Sequence, residues 1–376
     1  MSEEDPWEDV EFDLAADRLD TPEILQTADP GDMLRQVASA AAQVRTALRA
    51  CAETDLSQFV PDARPRAIVV AGMGGSGTAG DILGAVCGPG SPAQVLTVRP
   101  VRLPGTGALP GWAGAADLVL AVSCSGTSAE TLAAATEAVR RGCRLACVGA
   151  EGSPLHRIAE QARAPFIRVD QAGAVLPRQA LWALTVPLLV IAERLGIARV
   201  GTDVYENVAR RLEEVSHQCR PASESFVNPG KSLALDLLGA LPVVWGTSPL
   251  TAVAAARFAC QLNENAKYPA IHGALPEVAH NQIGVFDGPF AGDPPRFPLR
   301  LLLLKDVGAR ENAVITDLAG RRGIAVSELE MAGEHPLDRL AALVQLGDYA
   351  SVYLGIASGI DPGQADTVRD LPARIE

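Results

Sequence analysis

Apolar residues in this chain fall into two alternating patterns. The runs 67–71, 118–122, RLACVGA (144–150) and PFIRVD (165–170) are short and nearly continuous, and stretches with apolar residues at helical spacing separate them. Short apolar runs bounded by turn residues read as buried strands, and the intervening stretches read as helices. That alternation predicts an α/β fold, a doubly wound parallel sheet with its site at the carboxyl ends of the strands. The pattern then repeats: LPVVWG (241–246), RLLLLKD (300–306) and IAVSELE (324–330) read as strands, while 249–261, 309–323 and 335–360 read as helices. Before the first sheet, residues 1–60 are acidic and then helical, and between the sheets 200–225 predicts an amphipathic connecting helix stopped at Pro221. The expected organisation is therefore an arm (1–60), a first α/β domain (61–199), the connecting helix (200–225) and a second α/β domain (226–376).

Length agrees, because 376 residues exceed what one hydrophobic core ordinarily serves. A formal net charge of −13 argues against a nucleic-acid or anionic-membrane binder, since both rest on a basic field. The acidic N-terminus has neither a basic region nor an apolar core of a signal peptide, and no apolar run is read as approaching the roughly 20 residues of a membrane span. A cytoplasmic protein is expected. The seven cysteines are scattered and lack the His or Cys neighbours of a zinc set, so they read as free thiols and no metal is expected. Lysine is almost absent; only Lys231, Lys267 and Lys305 occur.

Candidate chemistry begins at the first strand. Ala67–Ala71 runs into Gly72-Met73-Gly74-Gly75-Ser76-Gly77 and then a helix. A strand, glycine loop and helix in that order aim backbone N–H groups and the positive helix end at an anion. The spacing also satisfies GxGxxG, and Arg99 at the end of the next strand would suit a 2′-phosphate, so a dinucleotide site stays open. The next unit points elsewhere. Ser123, Ser125, Thr127 and Ser128 crowd one helix start around Gly126, more hydroxyls than capping needs and enough for the several oxygens of one phosphate.

The second concentration of polar groups is 261–286, which carries Glu264, Lys267, His272, Glu277 and His280 between apolar segments. It reads as a helix end followed by a Pro/Gly-punctuated loop that sets a carboxylate and an imidazole close together, the two groups most readily tuned for proton transfer near neutral pH. A solvated helix cap is the alternative.

Together, GMGGSGTAGD (72–81), SCSGTSAET (123–131), QLNENAK (261–267) and PEVAHNQ (276–282) resemble the sugar isomerase (SIS) family, in particular its bifunctional phosphoglucose/phosphomannose isomerases. The resemblance spans roughly 60–376 and implies two flavodoxin-like SIS domains, no cofactor, a cytoplasmic homodimer and a sugar 6-phosphate substrate. It implies that Gly75, Ser76, Ser123, Ser125 and Ser128 hold the phosphate, with Thr127 and Ser128 standing where the family has Asn and Thr. It matches Arg178 in AVLPRQAL to an active-site arginine; from the residues alone, Arg178 reads as a surface helix-start residue. It further implies Glu264 as the base and His280 as the ring-opening imidazole, in the same or a neighbouring subunit, with His272 as the rival. Lys267 and Arg257 are either electrostatic support for an enediolate or structural ion pairs.

Chemistry reaches the same roles independently. Aldose–ketose interconversion opens a sugar ring and moves a proton between adjacent carbons through a cis-enediol, which asks for one imidazole, one carboxylate and a remote anion anchor. Neither metal nor nicotinamide is required. Two departures stand out: Pro372 replaces the family's C-terminal lysine, with Arg369 or Arg374 as substitutes, and Gln282 replaces the glutamate of HNE. They keep open a second reading, a sugar-phosphate-binding regulator with little or no catalysis.

Overall fold

The structure is a computed structural model that describes residues 6–101, 107–170, 175–292, 295, 298–307, 312–330, 333–368 and 370, with backbone alone for 6–12 and 312. It divides into two compact units, one of Ser39–Arg210 and one of Met1–Ala38 with Arg211–Glu376. The expected arm is thus split between the units, and the division at 210 falls inside the helix Gly201–Gln218.

The Ser39–Arg210 unit holds β1 (Ala67–Ala71), β2 (Gln94–Val98), β3 (Leu118–Ser123), β4 (Arg144–Gly149) and β5 (Phe166–Arg168). They form one parallel sheet in the order β2-β1-β3-β4-β5. Every residue of β1 and β3 is buried, as helices on both faces of a parallel sheet require, which is why these strands read as unbroken apolar runs. The helix Leu181–Arg194 packs on both Ala40–Glu53 and Gly75–Cys87.

A buried carboxylate fixes the start of β3. Asp117 accepts from Arg66 Nε at 3.0 Å and Nη2 at 2.6 Å, and from the Gly114 N–H at 2.9 Å. Burial pushes this carboxyl up, but the Arg66 and backbone donors outweigh it and hold it below the ordinary aspartate value. A depressed folded pKa contributes stability that is present above the unfolded value, about 4, and lost as pH falls through the folded value. The melting temperature of Asp117→Asn should therefore lie below that of the unsubstituted protein at pH 7 and fall less steeply on acidification; parallel pH profiles of the two would refute this.

The other unit holds β6 (Leu241–Gly246), β7 (Ile271–Ala274), β8 (Leu299–Lys305) and β9 (Ala325–Glu330), a parallel sheet in the order β7-β6-β8-β9. Its spine is the helix Pro336–Ala357, capped by His335, whose Nδ1 accepts from the Leu337 N–H at 3.1 Å. This helix corrects the expectation that no segment suits a membrane span: by length and composition it does, but its apolar window is wholly buried, as in a core helix. Gly347 and Gly355 make that burial possible. A Cβ at Gly347 would lie 3.0 Å from the Phe258 ring, and one at Gly355 2.9 Å from the Asn265 carbonyl oxygen.

The helix Pro6–Asp20 joins this unit through Lys231, whose buried ammonium donates to the Leu19 carbonyl at 2.5 Å, the Pro221 carbonyl at 2.9 Å and Asp20 at 3.2 Å. Both units are thus doubly wound parallel-sheet α/β folds of the flavodoxin-like kind.

Candidate active site

In the order β2-β1-β3, the connections leave β1 and β3 in opposite directions. Their carboxyl ends are the switch point where such sheets bind ligands. Two loops rim it. The first is Gly72–Gly74, where a Cβ on Gly72 would meet Ser76 at 2.9 Å and Gly74 has φ +51, a conformation that favours glycine. This turn leads into the helix Gly75–Cys87, with Ser76 buried in its first turn.

The second loop divides its hydroxyls. Ser123 is buried and its Oγ accepts from the Gly126 N–H at 3.1 Å, building the loop from beneath. Ser125 and Thr127 are exposed, their hydroxyls 2.8 Å apart. Ser128 stands at the N-cap of the helix Ala129–Arg140 without capping it; its Oγ donates to Glu130 Oε2 at 3.0 Å. Gly126 has φ +68, and a Cβ there would clash with Ser153 Oγ, so the loop closes only with glycine. Neither rim helix has a side-chain N-cap bond, which leaves positive helix ends facing a hydroxyl-lined crevice.

Arg178 lies half-buried in the turn Pro177–Gln179, which packs on the helix Gly75–Cys87, so the structure brings it to the helix that carries Ser76. Arg99 is ion-paired with Asp81 on that helix, which commits the cation a 2′-phosphate would need.

In the other unit the helix Pro249–Gln261 runs back along the sheet and ends in one π-helical turn, Leu262–Ala266, which carries Glu264. Single π-turns inside or at the end of α-helices recur at functional sites. Three contacts impose this one. Asn265 Nδ2 donates to Ser351 Oγ at 2.9 Å, and the Asn265 carbonyl lies against Gly355. Lys267, at φ +56, donates from Nζ to the carbonyls of Glu264 (3.0 Å), Asn265 (3.3 Å), Asp361 (3.1 Å) and Pro362 (3.4 Å). Glu264 itself is half-buried, and among the described residues no cation pairs with its carboxylate.

Of the two alternatives for Lys267 and Arg257, both take the structural one. Lys267 is a carbonyl clamp. Arg257 is 3% exposed and pairs bidentately with Asp348, Nε at 3.2 Å and Nη2 at 3.0 Å.

Glu264 and His280 do not lie side by side as the spacing suggested. The unexpected strand β7 runs between them. Glu264 precedes it at the amino end of the sheet and His280 follows it in the turn Glu277–His280. The strand itself, three rises of about 3.3 Å between its first and last residues, sets their segments about 10 Å apart. His280 is exposed, as is His272 on β7.

Gln282 has a structural role that its sequence position hid. Its Oε1 accepts from the Trp245 indole at 2.7 Å and its Nε2 donates to the His272 carbonyl at 3.2 Å, fastening the loop to β6 and β7. A glutamate could accept from the indole but not donate to the carbonyl. Gln282→Glu should cost about 1–3 kcal/mol, the loss of that bond with two oxygens left facing. Calorimetry checks this, and an unchanged melting temperature would contradict it. Pro372, Arg369 and Arg374, where the family's lysine was sought, lie outside the described residues.

Comparisons with known proteins agree with this architecture. Residues 226–375 match the family described as the bacterial phospho-glucose isomerase C-terminal SIS domain. A bifunctional phosphoglucose/phosphomannose isomerase of Caldicellulosiruptor bescii is 29% identical over 303 residues, covering 78% of this chain and 85% of the relative. Another, from Aquifex aeolicus, is 28% identical over 315 residues, 83% of this chain and 91% of the relative. A solved structure of a hypothetical protein from Thermus thermophilus shares the fold with a TM-score of 0.70 at 17% identity, covering 96% of this chain and 94% of its own. The chain is thus similar over most of its length to bifunctional phosphoglucose/phosphomannose isomerases, and the Glu264 turn and the His280 segment fall within the stretch that matches the SIS-domain family model.

Proposed function

We propose that this protein is a sugar-phosphate isomerase that interconverts glucose 6-phosphate or mannose 6-phosphate with fructose 6-phosphate through a cis-enediol. The single observation that carries the reading is Glu264, a half-buried carboxylate without a cation among the described residues, on a π-turn fixed by Asn265 and Lys267. It suits a base that shuttles one proton between adjacent carbons. Ser76, Ser125 and Ser128, with the uncapped helix ends, bind the phosphate; Ser123 and Gly75 shape that cradle, and Arg178 adds positive charge on the sugar side. His280 opens the ring. Its separation from Glu264 along β7, and its exposure, favour delivery from a second copy of the chain in a homodimer. The names of the relatives support the substrate pair.

A regulator that binds sugar phosphate without turning it over is the second reading. It is favoured by Pro372 in the place of the family's lysine and by the commitment of Lys267 to backbone carbonyls. Proton NMR of metal-stripped protein with fructose 6-phosphate in deuterated water separates the two. Glucose and mannose 6-phosphates deuterated at carbon 2 are expected; ligand-induced thermal stabilisation without them would leave the regulator.

A further inference from the structure

The second sheet has a switch point of its own. In connectivity, β7-β6-β8-β9 repeats β2-β1-β3-β4, so the carboxyl ends of β6 and β8 correspond to those of β1 and β3. The loop after β6, Thr247-Ser248, opens the helix Pro249–Gln261 as the glycine loop opens Gly75–Cys87. Yet the two crevices are finished differently. Where the first has uncapped helix ends, the helix Pro249–Gln261 carries a full capping box of Ser248 and Thr251. Across this second crevice lies a carboxylate that belongs to the chain.

That carboxylate is Asp306, the first residue after β8. Ser248 Oγ donates to its Oδ2 at 2.7 Å, Arg339 Nε to its Oδ1 at 3.0 Å, and the Val307 N–H to its Oδ1 at 2.8 Å. The Asp306 N–H in turn donates to Thr247 Oγ1 at 2.9 Å, which fastens the two loops together. A hydroxyl, a backbone N–H and a guanidinium are the donor classes that hold a bound phosphate or carboxylate. Arg339 and Asp306 are largely buried, at 15% and 17% side-chain exposure, so these donors need an acceptor. Burial pushes the Asp306 carboxyl up, but Ser248, Val307 and Arg339 outweigh it and keep it ionised across the neutral range.

We propose that the carboxyl ends of β6 and β8 form an oxyanion site for phosphate or carboxylate groups, which the chain fills with its own Asp306. The consequence is one open phosphate site per chain despite two SIS folds, without any loss of the second fold's crevice. Ordinary capping does not require this arrangement, because Thr251 already completes the capping box with Ser248, and Asp306 and Arg339 come from two further elements.

Removing the internal ligand tests the idea on the full-length protein with inorganic phosphate as the probe. Asp306→Ala takes the acceptor from the Ser248 hydroxyl, the Val307 N–H and Arg339 Nε, while Arg339 Nη1 keeps the Gly333 and Glu334 carbonyls and so holds the guanidinium in place. In phosphate-free buffer it should melt below the unsubstituted protein. Added phosphate should then restore most of the loss, saturably, and by more than it raises the unsubstituted protein, whose response reports the first unit alone. The gain should vanish in Asp306→Ala/Arg339→Met. Asp306→Asn, which keeps the crevice filled, should fold and show no extra response. A folded Asp306→Ala whose phosphate response merely equals that of the unsubstituted protein overturns the proposal, and so does an Asp306→Ala that cannot be recovered folded even in phosphate. Recovery only in phosphate supports it.

Discussion

Glu264→Gln is expected to lower the isomerisation rate by about 10²–10⁴-fold, the range for losing one positioned acid–base group, while fructose 6-phosphate still raises the melting temperature as in the unsubstituted protein. The two readouts separate for a structural reason. The proposed phosphate anchor is in the Ser39–Arg210 unit, at Ser76 and the Ser123–Ser128 loop, and remote binding energy of that kind survives loss of the base. The turn survives as well. Its geometry is set by Asn265 on Ser351 and by Lys267 on four carbonyls, none of which involves the Glu264 carboxylate. A glutamine there keeps the volume and removes only the proton acceptor. The measurement is the rate of deuterium appearance at carbon 2 alongside a thermal titration with fructose 6-phosphate. A variant with unreduced turnover would move the base elsewhere, with His272 and Glu277 the next groups to test; a variant that lost both turnover and binding would mean that Glu264 holds substrate instead.

The parts of this fold that could be read from the chain are those whose causes are local. β1 and β3 are buried on both faces, so they appear as continuous apolar runs, and Gly126 is there because no side chain fits against Ser153. The parts that could not be read depend on distant partners. The π-turn looks like an ordinary polar helix end until Ser351, 86 residues on, and Asp361, 94 residues on, are seen to hold it. The strand β7, Ile271–Ala274, is a four-residue sheet edge without a β-branched run or a buried face, so nothing in its pattern separates it from a loop. Missing it put Glu264 beside His280. Likewise the arm reads as one helical segment, and only Lys231 on Leu19 and Asp20 shows why its first helix belongs with the far end of the chain.

Arg257 is the clearest case of a residue whose role the sequence left undecided, and its substitution should have the largest effect on stability. Arg257→Leu is expected to cost about 3–5 kcal/mol, the range for stranding one half of a buried ion pair. At roughly 2–4 °C per kcal/mol for a unit of this size, the transition of the unit that contains it should drop by about 6–20 °C. The cause is Asp348. Its carboxyl is buried, burial pushes it up, and the bidentate guanidinium is what pulls it back. Without Arg257 the Asp348 carboxylate must either stay charged in an apolar interior or take up a proton, and both options lower the free energy of unfolding. Adding Asp348→Leu to the same protein decides between charge and shape. If the loss is electrostatic, the double variant removes the stranded charge and should recover most of it, because well-packed apolar replacements of buried pairs are often neutral or better. If the double variant melts as low as the single one, the guanidinium acts chiefly as a packing element between the helices Pro249–Gln261 and Pro336–Ala357. The same variants report on the proposed base: these two helices also hold Asn265 on Ser351, so a turnover lost in Arg257→Leu and regained in the double variant would tie the position of Glu264 to this buried pair.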